Sequence, residues 1–201
     1  MKNIFFLDVD TQRDFMLSTG ALCVPGAERI IPKLRRLFDF ARKNEVSILS
    51  SADAHVPNDQ EFQQFPPHCV QGTEGQRKID ETLLHRPLIL QNKPIDRNLL
   101  DAVRKHQQII VEKQVLDLFS NPVAERLLRV LPPRAIVFGV ATEYCVKMAC
   151  LGLRRMGVQA ALVTDAIRAL SPKSEKEALD EMRRVGVEFI TLETLLGSGS
   201  V

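Results

Sequence analysis

Six short apolar runs punctuate the chain, at Ile4–Val9, Val46–Ser50, Gln108–Glu112, Ala135–Val140, Val158–Thr164 and Val187–Ile190. Runs of about four to eight such residues, many of them β-branched and bounded by polar or turn-forming positions, predict strands buried on both faces. Between most of them the apolar positions recur at helical spacing, over Ala27–Lys43, Val123–Val130, Glu143–Met156 and Glu175–Val185. Ser174 stands three residues before Glu177 and reads as a capping box, while Gly157 reads as the stop after Met156. Strands alternating with helices in this way predict an α/β fold: a mostly parallel, six-stranded sheet flanked by helices on both faces.

One region breaks the alternation. From about Ala52 to Pro94 the chain carries Pro57, Pro66, Pro67, Gly72, Gly75, Pro87 and Pro94, and reads as mostly loop with one or two short elements. Ordered loops of that length usually serve function, so this insert is the first place to look for a site. The closing Gly-Ser-Gly-Ser-Val at 197–201 reads as a frayed terminus or a cloning remnant.

Composition narrows the class. The chain has 201 residues, 45% of them apolar, which suits a single domain over 1–201. Such a chain buries roughly 70% of its unfolded surface without disulfide or metal staples. Its 27 basic and 25 acidic residues nearly cancel, which is not the footprint of a dedicated nucleic-acid binder. The apolar run Ile4–Leu7 meets Asp8 and Asp10 before a signal sequence could be completed. No stretch approaches the ~18 apolar residues of a membrane span, so a cytoplasmic protein without membrane partners is expected. The four cysteines, Cys23, Cys69, Cys145 and Cys150, form no Cys-x-x-Cys pair and are expected to be free thiols.

Parallel sheets bind ligands outside the carboxyl ends of their strands. There the sequence places Asp10 after the first strand, Asp53 and His55 after the second, Lys113 after the third, and Gly139 through Cys145 after the fourth. A carboxylate closing an apolar strand is costly unless paired or used, although Asp10 could also cap a turn with Asp14. Lys113 alone could snorkel to solvent. Cys145 falls in the first turn of a helix starting near Thr142, where free N–H groups and the helix dipole would favour a thiolate, and a nearby Lys113 would lower its pKa further. The competing reading is a buried apolar cysteine, as expected for the other three. Asp53 and His55, two apart on an extended segment, point the same way, and His68 follows two stiffening prolines. Such mixed O/N ligands suit Zn, Fe or Mn, with Glu61 or water completing the set; the alternative is a surface Asp with two loop histidines. His85 and His106 sit in polar surroundings and are expected to be exposed.

The motifs Asp10-Thr-Gln-Arg-Asp-Phe, Asp53-Ala-His55, Pro67-His68-Cys-Val-Gln-Gly-Thr-Glu-Gly, Lys113 and Gly139-Val-Ala-Thr-Glu-Tyr-Cys145 occur in one order. Together they resemble the isochorismatase-like cysteine hydrolases, with a Rossmann-like sheet, and within them the nicotinamidase branch. The resemblance runs from the first strand to about Thr191. It implies a catalytic triad of Asp10, Lys113 and Cys145, metal ligands Asp53, His55 and His68, and one divalent ion, zinc foremost. It further implies a cis Val140–Ala141 peptide, an oxyanion hole from the N–H groups of Ala141 and Cys145, and substrate contacts from Phe15, Phe65, Val140 and Tyr144. The implied activity is hydrolysis of nicotinamide to nicotinate and ammonia through a Cys145 thioester, in NAD salvage. Isochorismatases proper lack the nucleophilic cysteine. The chain departs from the pattern in having no Trp, where relatives often carry one at position 65, and in reading Lys113-Gln-Val-Leu-Asp-Leu-Phe119, where relatives often carry Tyr and Ser. Alternatives are a related amidase for a ureido or carbamoyl amide, or a non-catalytic metal-binding thiol protein. The expected partner is a small-molecule amide, and a homo-oligomer stays open.

Overall fold

The first strand, β1 (Ile4–Val9), reads Ile-Phe-Phe-Leu-Asp-Val and is buried along almost its whole length, as a central strand covered on both faces must be. In the computed structural model, which describes residues 3–96 and 98–197, it pairs in parallel with β2 (Ile48–Asp53) on one side. On the other side it pairs with β5 (Arg134–Val140). Beyond β2 lie β4 (Gln108–Lys113) and then β3 (Leu88–Leu90); beyond β5 lie β6 (Gln159–Arg168) and β7 (Glu188–Ile190). The order is β3-β4-β2-β1-β5-β6-β7, and every pairing is parallel.

The sheet therefore has seven strands, not six. The extra one, β3, is a three-residue edge strand inside the proline-rich insert, too short to leave an alternation in the sequence. The rest of that insert is irregular apart from the 3₁₀ turns at Gln60–Gln63 and Asp80–Thr82.

Alternate residues of β1 face opposite layers. Phe5, Leu7 and Val9 pack against α3 (Leu99–Lys105), α4 (Ala124–Leu128), α5 (Lys147–Arg155) and α6 (Pro172–Arg184). Phe6 packs with α1 (Arg13–Met16), α2 (Ile31–Lys43) and α7 (Leu192–Gly197). Helices thus cover both faces. None is long and apolar enough to cross a membrane among the described residues.

Several boundaries differ from the sequence pattern. The predicted helix 27–43 opens as a 3₁₀ turn over Ala27–Ile30. The cap of α6 is Ser171, whose side chain accepts the Ser174 N–H with Pro172 at the first helical position, so the capping box at Ser174 gives way to a cap three residues earlier. Gly157 ends α5 as expected: at φ +77 it lets its own N–H reach Arg154 O (3.1 Å) and that of Val158 reach Leu153 O (3.0 Å). The expected frayed tail falls mainly on residues 198–201, outside the described residues.

β1 and β5 approach closely where they deliver the site. Gly139 takes φ +121, and a Cβ there would lie 2.0 Å from Val9 O. Gly139→Ala is expected to cost at least about 3 kcal/mol, measured by urea unfolding; a variant as stable as the parent would show that the strands can part.

Candidate active site

Lys113 ends β4 and pairs in register with Asp53, which ends β2. That register places a cation beside a carboxylate in a place closed to water, with both side chains at most 3% exposed. The Lys113 ammonium contacts Asp53 Oδ1, lies 3.0 Å from Asp10 Oδ2 and stands 3.4 Å from Cys145 Sγ. Strand ends brought level by a parallel sheet thus gather groups from β1, β2, β4 and the turn after β5 around one charge.

Each partner is held from behind. Asp10 adopts φ +47, a left-handed conformation that Asp tolerates better than most residues. Ser51 Oγ donates to Asp10 Oδ1 (2.6 Å) and accepts the Asp10 N–H (3.3 Å). Gln12 clamps the Asp53 backbone, donating to its carbonyl (2.8 Å) and accepting its N–H (2.7 Å).

Cys145 comes from β5 through a cis Val140–Ala141 peptide. Residues Thr142–Val146 form a π turn, not the regular first turn of a helix, and Tyr144 within it leaves helical geometry (φ −113°, ψ −105°). Ala141 O accepts from the N–H groups of Tyr144 (3.1 Å) and Val146 (3.2 Å). Burial pushes the Cys145 thiol well above its ordinary value and outweighs the pull of Lys113, with Asp10 and Asp53 pushing the same way. Burial and the Asp53 charge also raise Asp10, against the opposing effect of Lys113. Burial pushes Asp53 up too, but there the Lys113 ammonium and His55 outweigh it and hold the carboxyl below its usual range. Burial acts against the charge of Lys113, yet the surrounding acids keep it firmly protonated. The arrangement sets the Cys145 thiol beside the Asp10 carboxyl, with the Lys113 ammonium against both.

On the other side of Asp53 stand His55 and His68. One ligand atom from each of the three lies within 4.8 Å of the others, all buried. His68 Nδ1 faces Pro66 O at 2.8 Å, which aims Nε2 inward, where it is buried without a hydrogen-bond partner. His55 presents Nδ1 to Asp59 Oδ2 at 3.0 Å and turns Nε2 toward Asp53. Two imidazoles oriented from their far nitrogens and a carboxylate are a donor set that fits a divalent ion. Glu61 Oε1 lies 3.8 Å from His68 Nε2 and outside the three-residue cluster.

A narrow cavity, part of it open to solvent, joins these groups. Asp10, Cys145, Asp53, Glu61 and His68 supply its polar face, and Phe15, Phe65, Val140, Ala141 and Tyr144 part of its wall. The Phe65 ring meets Tyr144 edge-on at 5.8 Å. Lys113 and His55 lie behind this surface. Sequence reasoning missed the apolar lining by Leu22, Val24, Leu116 and Leu170. It also missed Asp59 and Ser51. The signals available were a carboxylate four residues after His55 and two serines inside a buried strand. Of the two remaining histidines, His85 is exposed as expected, whereas His106 is half-buried with Nδ1 3.2 Å from Arg86 O. All four cysteines are free.

The family model of the isochorismatase domain matches residues 5–194, and the chain belongs to that hydrolase family, in its nicotinamidase branch. It is 27% identical to a nicotinamidase of Escherichia coli (strain K12) over 215 residues, 92% of each chain. It is 24% identical to a nicotinamidase/pyrazinamidase of Mycobacterium tuberculosis over 194 residues, covering 90% of this chain and 95% of that one. The structure of a pyrazinamidase of Pyrococcus horikoshii in complex with zinc superposes with a TM-score of 0.76 at 27% identity, over 94% of this chain and 99% of that one.

Because Asp59 orients His55 without belonging to the ligand cluster, Asp59→Ala is expected to weaken zinc binding about 10- to 100-fold. Titration of metal-stripped protein with zinc checks this, and unchanged affinity would show that the ring is aligned without it.

Proposed function

We propose that the protein is a cysteine amidohydrolase that converts nicotinamide to nicotinate and ammonia. The observation that carries the reading is that Asp10 and Cys145, bridged from behind by the Lys113 ammonium, line a cavity to which Asp53 and His68 also contribute. The nicotinamidases of E. coli and M. tuberculosis among its relatives support the substrate class.

In the proposed reaction Cys145 Sγ attacks the carboxamide carbon while Asp10 takes the thiol proton. The N–H groups of Ala141 and Cys145 hold the developing oxyanion. Collapse breaks the C–N bond, Asp10 returns its proton to the leaving nitrogen, and ammonia departs from a Cys145 thioester. Water then loses a proton to Asp10 and attacks the thioester carbonyl, releasing nicotinate and restoring the thiol. Lys113 keeps two carboxylates and a sulfur compatible in one dry place throughout.

Phe15 and Phe65, with Leu116 and Leu170, leave a slot with apolar walls suited to a flat ring. Asp53, His55 and His68 would hold one divalent ion, with zinc present in the P. horikoshii relative. When bound, that ion supplies a Lewis-acid site for a ring nitrogen. In this reading residues 1–201 form one catalytic domain, the insert at about 52–94 carries the metal ligands, and the enzyme works in the cytoplasm to recover nicotinate for NAD.

Metal-loaded protein is expected to release ammonia from nicotinamide, and Cys145→Ala to lower that rate about 10⁴-fold or more, measured by an ammonia assay. Equal release by the variant would overturn the nucleophile. Release from a ureido or carbamoyl amide but not from nicotinamide would overturn the substrate and keep the chemistry.

A further inference from the structure

A second buried ion pair lies beneath the site and takes no part in the reaction above. Lys78 Nζ is 2.9 Å from Asp8 Oδ2, with both side chains at most 2% exposed. Neither residue lines the cavity. Two charges withdrawn from water in this way are often no more stabilising than two apolar side chains of similar size, so the pair calls for a use other than stability.

Its neighbours indicate that use. Lys78 Nζ also donates to Ser51 O (3.2 Å), and Ser51 Oγ donates to Asp10 Oδ1 (2.6 Å). Asp8 is anchored in turn by Thr11 Oγ1 (2.8 Å) and Ser50 Oγ (2.8 Å). Lys78 is brought there by a short antiparallel pairing of its segment with the residues just after Asp10: Arg13 N–H donates to Arg77 O (2.8 Å) and Ile79 N–H to Thr11 O (3.0 Å). One ammonium thus ties β1, through Asp8, to β2, through Ser51, immediately beneath Asp10. Asp10 has left extended geometry at φ +47, so continuation of the strand does not by itself aim its carboxylate.

We propose that Lys78, paired with Asp8, is a positioning residue that holds Ser51 and thereby the Asp10 carboxylate in line with the Cys145 thiol. The proposal rests on the reading of Asp10 as the acceptor of that thiol's proton. Because the pair touches no part of the cavity, its loss should act on kcat and leave KM almost unchanged.

The test uses the full chain loaded with zinc. Lys78→Met alone leaves Asp8 as a lone buried carboxylate and threatens folding, so the main variant is Asp8→Leu with Lys78→Met. Four quantities are read: the urea midpoint, kcat and KM for nicotinamide, and the rate at which iodoacetamide alkylates Cys145, followed on its peptide by mass spectrometry. The expected result is a midpoint close to the parent's, kcat lower by about 10- to 100-fold, KM within about twofold, and Cys145 alkylation slowed by a similar factor to kcat. Lys78→Arg, which keeps the charge, should recover much of both rates. A folded double variant with parental kcat and parental alkylation would overturn the proposal. Ser51→Ala breaks the relay at its last link with the ion pair intact; it should slow alkylation as well, and parental alkylation in that variant would overturn the proposal even if the double variant does not fold. Alkylation needs no substrate. If wild-type protein proves inert toward nicotinamide while both variants slow the alkylation of Cys145, the functional reading fails and the positioning role stands.

Discussion

A single buried ammonium is the constraint on which the site depends. Lys113 stands against Asp10, Asp53 and the Cys145 sulfur where water cannot screen any of them. Without that charge, two carboxylates at the ends of neighbouring strands would each hold a proton or repel the other. With it, Asp53 is held below the usual carboxylate range, and the upward push of burial and of Asp53 on the Asp10 carboxyl is partly offset. The same cation stands between the Cys145 thiol on one side and Asp53, with its two imidazole neighbours, on the other.

The fold supplies this convergence through strand register. β1, β2 and β4 run parallel; β2 and β4 end level, so Asp53 and Lys113 face each other directly, while Asp10 turns in from the end of β1. β5 contributes from the other side of β1, and Gly139 allows the close approach that carries the chain on to Cys145. The proline-rich insert then closes over the strand ends and brings His68 and Asp59 to complete the imidazole side. Rigid strands aim the reacting groups, and the loop shapes what can reach them.

Much of this was legible in the sequence because strand ends are where a parallel sheet displays its chemistry. Asp10, Asp53, Lys113 and Cys145 each interrupt or follow an apolar run, and the structure brings all four together. What stayed hidden depended on pairing across the chain. β3 has only three residues and owes its place to β4. Ser51 and Asp59 show their parts only through their approaches to Asp10 and His55. Ser171 caps α6 in place of Ser174 because Pro172 starts the helix a turn earlier than the apolar spacing suggests.

The most direct measurement of the central claim is the urea-unfolding free energy of Lys113→Met in metal-free protein. If the ammonium is what reconciles the buried acids, the variant loses about 3–5 kcal/mol relative to the parent, and most of that loss returns when Asp10→Asn and Asp53→Asn are added. A Lys113→Met protein as stable as the parent would contradict the account, because the carboxylates would then be reconciled by something other than Lys113.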